Sequence, residues 1–251
     1  MYLRSYSTKA QDVCDWPAGI RDALVYGVEV EIEPRRNSSQ SAVLRALGDD
    51  ESTFFCKSDG SLDAGVEIVT VPLTLDGHKG IRGRVMNWRD TMRPVLPIAM
   101  SGSRTSNCGM HVHVNRRALS PLVLAKMLLM LNHPDMLDLV SSVAQRGNSS
   151  WARFQRKTWA DGLHWAQRNH QRYQALNVTG PTAEFRIFRG SLRYDRILKN
   201  LEFCDAVVQF CRNTSAARVT DPSAFAAYID NAAREYPYLS AFLSEAGISA
   251  E

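Results

Sequence analysis

The sequence predicts an α+β fold with a curved, mainly antiparallel sheet and helices packed on its outer face. Several short segments alternate apolar and polar residues, as half-buried strands do, among them 27–33, 110–115 and 182–189. Longer segments with helical spacing lie between them in an irregular order, which favours α+β over a doubly wound parallel sheet. Neither common glycine-rich phosphate loop, G-x-x-x-x-G-K-S/T or G-x-G-x-x-G, occurs in the chain.

The composition is that of an ordinary globular protein, with 251 residues, 45% of them hydrophobic and 22% charged. The formal net charge of +4 suits a phosphate-bearing ligand but is too small to argue for nucleic acid. The five cysteines form no C-x-x-C pair, which indicates reduced thiols and not disulfides or a zinc knuckle. Because the chain shows no apolar signal segment and no stretch of about 18 uncharged apolar residues, we expect a cytoplasmic protein without a membrane partner.

We expect residues 1–24 to form a polar lead-in with a turn at 15–17, and residues 25–251 to form a single domain. The first half of this domain reads as an acidic strand at 27–33, a short helix with apolar positions at 42–47, strands at 54–57 and 65–70, and a turn at 58–62 between them. The helical spacing of its large apolar residues predicts a further helix over 77–98, which ends at Pro94 and Pro97.

The second half begins with the strand 110–115, after which Ser120 and Pro121 are typical of the start of a helix. A second helix is expected over 135–145, and a break follows at 147–150. The remaining elements are a strand at 182–189, a long amphipathic helix at 194–212 and one or two helices within 222–243.

The acidic strand is the most informative segment for function. Its alternation places Glu29, Glu31 and Glu33 on one face and apolar residues on the other. Neighbours on one face of a strand lie roughly 6.5–7 Å apart, where two carboxylates repel by roughly 2.5 kcal/mol at an effective dielectric near 20. The strand therefore leaves its acids in water or brings a cation to them, and a solvated outer face is the simpler reading of this strand alone.

Other strands have polar faces of the same kind. His111 and His113 share one face of their strand, Glu184 and Arg186 share a face of another, and Glu67 lies in a strand that is otherwise apolar. If these faces meet, carboxylates with few histidines and no cysteine favour Mg²⁺ or Mn²⁺ over zinc, and Mg²⁺ held by carboxylates normally serves a phosphate substrate. Two of these signals also have a structural reading, a structural or surface H-x-H and an ion pair between Glu184 and Arg186. Glu67 is harder to explain in this way, because an unpaired buried carboxylate is costly.

Three ordered motifs resemble those of the glutamine synthetase/glutamate–cysteine ligase superfamily. They are the G-x-E-x-E strand at 27–31, the G-M-H-x-H strand at 109–113 and the late E-x-R strand at 184–186. The short chain, the segment Asp59-Gly60-Ser61-Leu62 before Glu67, and Leu176-Asn177 before Glu184 resemble the amidoligase branch more closely. The resemblance spans roughly residues 25–210. This chain is much shorter than glutamine synthetase, and we expect no counterpart of that enzyme's separate N-terminal β-domain in it.

The resemblance implies a glutamine-synthetase-like catalytic domain and an ATP-dependent carboxylate–amine ligase that forms an amide or peptide bond through an acyl phosphate. By the same resemblance Glu29, His111 and Glu184 hold one Mg²⁺ or Mn²⁺ ion, and Glu31 and Glu67 hold another. Arg186 matches the arginine that stabilises the transferred phosphoryl group, and Arg186, His113 and Asn177 are the expected ATP-binding residues. The resemblance leaves open whether Glu33, Asp59 or His113 also binds metal.

Two other functions remain open at this stage. Carboxylate–histidine sites serve many reactions, so the same residues suit a metal-dependent hydrolase or another phosphotransferase. The basic and aromatic stretch 151–173 suits nucleic acid, which is the less favoured partner, because this stretch equally suits a lid over phosphates hinged at 147–150. A packing helix is the plainer alternative for this stretch.

The sequence does not identify the substrates. A free amino acid, a peptide, a cell-wall precursor and a protein side chain all remain candidates for the acid or the amine, and the oligomeric state is open.

Overall fold

The computed structural model describes residues 2–13, 20–48, 52–102, 107–147, 152–155, 174–178 and 180–249, together with 158, 160, 161 and 164. The chain separates into two compact units. The first unit comprises Met1–His113 with Arg189–Ile197, and the second comprises Val114–Phe188 with Leu198–Glu251. The single domain expected over 25–251 stays a prediction.

The strands of the described residues are β1 (Leu3–Arg4), β2 (Tyr26–Pro34), β3 (Phe54–Lys57), β4 (Val66–Thr70), β5 (Ala99–Met100), β6 (Gly109–Asn115), β7 (Leu176–Asn177) and β8 (Thr182–Arg189). The α-helices are α1 (Gln40–Leu47), α2 (Leu75–His78), α3 (Trp88–Met92), α4 (Pro121–Asn132), α5 (Leu137–Ala144), α6 (Tyr194–Asn213), α7 (Pro222–Asn231) and α8 (Pro237–Glu245). The α+β class is thereby confirmed.

The first unit is built on a sheet with the strand order β1-β3-β4-β2-β6, and β5 also pairs with β2. The pairs β3–β4, β2–β4 and β2–β5 are antiparallel, whereas β1 runs parallel to β3. Mainly antiparallel pairing is as expected, but the strand order is open and the sheet is uncurled, so the expected curvature is not found. The parallel pairing of Leu3 with Cys56 also makes part of the expected lead-in a strand of the sheet.

One face of β2 forms the centre of the core of the first unit. Val28, Val30 and Ile32 are completely buried, as the alternation predicts. The loop between β3 and β4 packs closely against this strand. A Cβ added to Gly65 would lie only 2.6 Å from the carbonyl oxygen of Ile32, which is too close for any side chain. Glycine at position 65 therefore allows the backbone approach that sets where β4 begins.

The helix expected over 77–98 is wrong. Residues 75–78 form α2, residues 88–92 form α3, and turns and bends separate them. Gly80 and Gly83 adopt positive φ values of 74° and 76°, and Ile81 and Val85 are exposed, so the apolar spacing does not correspond to a buried helical face. Asn87 starts a new helix by accepting a hydrogen bond from the backbone N–H of Asp90.

The second unit joins the end of β6 to β8 and β7 and to most of the helices. β8 neighbours both β6 and β7, and it pairs with β7 in the antiparallel sense. Ser120 caps α4 as predicted, since its side chain accepts a hydrogen bond from the N–H of Val123. Aromatic edge-to-face contacts join Phe188 to Phe203 and Phe203 to Phe225, which packs β8, α6 and α7 together.

Buried polar groups attach the last helices to α6. The hydroxyl of Tyr236 donates to Asp205 at 2.7 Å, and the N–H of Leu239 donates to Glu202 at 2.8 Å. One or two helices were expected within 222–243, and the structure has two, α7 and α8. Among the described residues, no helix combines the length and apolar composition that crossing a membrane requires.

Candidate metal site

The site is on the face of the first unit's sheet opposite its apolar core. Strand β2 carries Glu29, Glu31 and Glu33 on this face. Glu31 and Glu33 are buried, and the side chain of Glu29 is 19% exposed. The acids are therefore not a solvated outer face, and their mutual repulsion requires hydrogen-bond donors or cations close by.

The strand register aligns three charged residues in one row across the sheet. Glu31 of β2 is opposite Glu67 of β4, and Glu67 is in turn opposite Lys57 of β3. Directly opposed side chains are close neighbours, and two like charges in such a pair are destabilising. The ammonium of Lys57 lies 3.2 Å from one oxygen of Glu67, so an internal cation offsets part of this repulsion.

The two glutamates of this row form a group of three carboxylates with Asp59. Glu31, Asp59 and Glu67 each offer one oxygen, and these oxygens lie within 4.8 Å of one another. The backbone N–H of Gly109 donates to Glu31, and the N–H of Ser61 donates to Asp59 at 2.7 Å. Two of the three carboxylates are thus held in place by backbone donors.

Glu29 forms the second part of the site, together with the histidines of β6. One of its oxygens, Oε2, lies 3.5 Å from Nδ1 of His111 and 3.3 Å from Nε2 of His113. The other, Oε1, lies 3.5 Å from Nζ of Lys57. The shared face expected for His111 and His113 is confirmed, because both side chains approach the same carboxylate while Val112 and Val114 are completely buried.

The surroundings of Glu67 and Glu29 shift the pKa values of these two residues in opposite directions. Burial raises the pKa of Glu67 well above its usual range, and the neighbouring Glu29 charge adds to this against the opposing effect of Lys57. Burial alone would also raise the pKa of Glu29, but His113, His111 and Lys57 together hold that pKa well below its usual range. Glu29 therefore keeps its charge to lower pH, whereas burial makes the charge of Glu67 costly to hold while no further cation is present.

Glu33 has a structural role. Its two carboxylate oxygens accept backbone N–H groups, one from Asp63 at 2.9 Å and the other from Ala64 at 3.4 Å. These bonds tie the loop before β4 to β2. Glu33 therefore continues the acidic face of β2 without belonging to the group of three carboxylates.

The second unit contains a separate polar cluster. The amide of Asn177 donates to Glu184 at 2.8 Å, and Arg186 forms an ion pair with the other oxygen of Glu184. All three residues are buried, and the pairing of β7 with β8 places Asn177 opposite Glu184. The ion pair that the sequence left open therefore exists, and it joins residues of one strand.

The predicted site residues come from both units of the chain. The first unit brings together Glu29, Glu31, Glu67, His111 and His113, and the second brings together Glu184, Arg186 and Asn177. Sequence reasoning missed Lys57, because its strand shows no polar alternation and only the register shows that it faces Glu67. The sequence left open whether Asp59 binds metal, and the structure places it in one group with Glu31 and Glu67. The expected hinge at 147–150 and lid at 151–173 lie largely outside the described residues.

The donor set of the first unit fits a hard divalent cation. Carboxylate oxygens predominate, with imidazole nitrogens beside Glu29 and no thiolate in the group. Glu67 also has a buried oxygen, Oε2, that lies near Lys57 but accepts no hydrogen bond. A buried carboxylate oxygen without a hydrogen-bond donor is costly, and a bound cation would satisfy it.

Comparisons with known proteins add no relative: neither the protein-family models nor the curated proteins include a match to this chain.

Proposed function

We propose that this protein is an ATP-dependent carboxylate–amine ligase that forms an amide or peptide bond. The observation that carries the proposal is the buried group of Glu31, Asp59 and Glu67 next to the Glu29–histidine cluster on one sheet face. The ordered motifs that resemble the glutamine synthetase/glutamate–cysteine ligase superfamily, and its amidoligase branch in particular, support it further. A sheet with helices on its outer face, as in that superfamily's catalytic domain, is part of the proposal.

The first unit would hold Mg²⁺ or Mn²⁺ in two places. Glu29 and His111 would bind one ion, and Glu31 and Glu67, joined by Asp59, would bind the other. When bound, such ions would supply positive charge that stabilises the phosphates of ATP and the transferred phosphoryl group. The resemblance further assigns Glu184 as a metal ligand and Arg186 as the phosphoryl-binding group.

The reaction explains why a ligase needs such a site. A carboxylate is a poor electrophile, so its oxygen first attacks the γ-phosphorus of ATP, which gives an acyl phosphate and ADP. The amine then attacks the acyl carbon and phosphate leaves, which forms the amide. Water must be excluded meanwhile, because it would hydrolyse the acyl phosphate.

The residues of the chain contribute position and charge. The backbone bond from Gly109 fixes one oxygen of Glu31, and the bonds from Ser61 fix Asp59, so less ordering is needed when an ion binds. His113, together with Asn177 and Arg186, remains the expected contact for ATP, and the acid and amine are an amino acid, a peptide or a cell-wall precursor. A hydrolase or another phosphotransferase would use the same metal ligands and is an outcome of the test below.

The test is a screen of carboxylate and amine pools with ATP and Mg²⁺ that measures ADP release and new amide masses together. We expect both products with the wild type and with Glu33→Gln, the matched control on the same strand face. Glu31→Gln and Glu67→Gln should lose at least about a hundredfold in rate, as removal of a charge-stabilising group does. ADP or phosphate without any new amide would indicate the hydrolase or phosphotransferase, and equal rates in all four proteins would contradict the site.

A further inference from the structure

Lys57 brings a positive charge into the acidic site. Its Nζ lies 3.2 Å from Oε2 of Glu67 and 3.5 Å from Oε1 of Glu29, and only 13% of its side chain is exposed. The ammonium thus contacts one carboxylate from each of the two places that would hold a divalent ion. It neutralises part of the charge that an ion would otherwise neutralise.

The contact with Glu67 is an ion pair without hydrogen-bond geometry. Oε2 of Glu67 is buried and accepts no hydrogen bond, although the ammonium is within 3.2 Å. A compact ammonium on a four-carbon chain supplies charge without the fixed fork geometry of arginine. The lysine therefore offsets the charge of Glu67 without the fixed paired hydrogen bonds of an arginine, so that a stronger cation can replace it.

The structure also provides a second partner for the ammonium. The parallel pairing of β1 with β3 places Arg4 opposite Lys57, and the chain that follows β1 brings the ring of Tyr6 to 5.9 Å from Nζ. This distance is within the range of cation–π attraction. The flexible side chain of Lys57 can therefore leave the carboxylates and keep a favourable contact at the half-exposed side of the sheet.

We propose that Lys57 is a positioning residue of the metal site: its ammonium lies against Glu29 and Glu67 in the metal-free protein and is displaced when divalent ions bind these carboxylates. This inference rests on the proposed function, because it assumes that the carboxylates bind metal. The lysine keeps Glu29 and Glu67 close together before the ion arrives. It also lowers the affinity for the ion, since binding requires the loss of two ion pairs.

The first experiment measures Mn²⁺ affinity by titration calorimetry for the wild type, Lys57→Met, Lys57→Arg and the control Lys9→Met. Lys9 is exposed and lies in the same unit, so its variant reports the effect of net charge alone. We expect Lys57→Met to bind Mn²⁺ about tenfold or more tightly than the wild type, because a close positive charge is removed. Lys57→Arg and Lys9→Met should stay close to the wild type.

The second experiment does not depend on the folding of a variant. In wild-type protein with ¹⁵N-labelled lysine, the Nζ signal assigned to Lys57 should shift when diamagnetic Mg²⁺ is added. Mn²⁺ binding that is equal or weaker in folded Lys57→Met, or an Nζ signal unchanged at saturating Mg²⁺, would overturn the role of Lys57 alone. Absence of Mn²⁺ binding by the wild type and all variants would overturn the metal site as well.

Discussion

At the scale of single residues, Glu31, Glu67 and Lys57 form one row of charged side chains across three strands. The alternation of β2 predicted that Glu29 and Glu31 share a face, and the structure confirms it. Lys57, Glu67 and Glu31 are neighbours only through the register of three strands, and a single sequence does not specify that register. Glu33 has the same place in the sequence alternation as Glu31 but a different role, because backbone N–H groups donate to both of its carboxylate oxygens.

Glu67 provides a stability prediction with a definite sign. Its folded-state pKa is raised above the ordinary value of 4.5, so the folded protein binds this proton more tightly than the unfolded chain. The resulting stabilisation is present below pH 4.5 and is lost as the pH rises towards the raised pKa. Glu67→Gln keeps the neutral form throughout, so in metal-free protein at pH 8 we expect its Tm to exceed the wild type by about 2–4 °C, the shift for about 1 kcal/mol in a chain of this size.

Thermal melts of metal-free protein from pH 4 to pH 8 provide the check. The difference between Glu67→Gln and wild type should grow with pH and vanish near pH 4. Glu33→Gln serves as the control and should melt lower, because an amide offers one acceptor oxygen where the carboxylate accepts two N–H groups. If Glu67→Gln melts well below the wild type at pH 8, the ion pair with Lys57 stabilises the fold by more than the burial of the Glu67 charge costs, which contradicts this prediction.

At the scale of elements, strong local signals were reliable. Alternation predicted β2, β6 and β8, and the Ser120-Pro121 start predicted α4. The helix over 77–98 failed because helical spacing of apolar residues also arises by chance in a stretch that Gly80 and Gly83 interrupt. The two-residue strands β1, β5 and β7 carry too little sequence for any pattern, and only pairing with neighbours defines them.

The loop between β3 and β4 allows a matched test of how close packing supports the site. A Cβ at Gly65 would lie 2.6 Å from the carbonyl oxygen of Ile32, whereas nothing lies within 4 Å of a Cβ at Gly60. We expect Gly65→Ala to lower the free energy of unfolding by about 1–3 kcal/mol through overpacking, and Gly60→Ala to change it by less than about 0.5 kcal/mol. Urea denaturation measures both, and equal stabilities would contradict the described approach of this loop to β2.

At the scale of the whole molecule, residues far apart in sequence form the site within the first unit. Glu29 and His111 are separated along the chain by β3, β4 and β5, yet their side chains lie 3.5 Å apart. The sequence predicted this grouping through polar faces and through the resemblance, but it did not predict the division into two compact units. That division follows from tertiary contacts, which composition and linkers in this chain do not show.

If the carboxylates of the first unit bind the metal that accompanies ATP, the binding of ATP must depend on a divalent ion. Titration calorimetry of ATP is carried out with Mg²⁺ and with a chelator, using wild type, Glu31→Gln and the control Glu33→Gln. Because carboxylates and phosphates share the ion, we expect ATP to bind the wild type and Glu33→Gln at least about tenfold more tightly with Mg²⁺, and Glu31→Gln to lose most of this difference. Equal ATP affinity of the wild type with Mg²⁺ and with chelator would contradict the account.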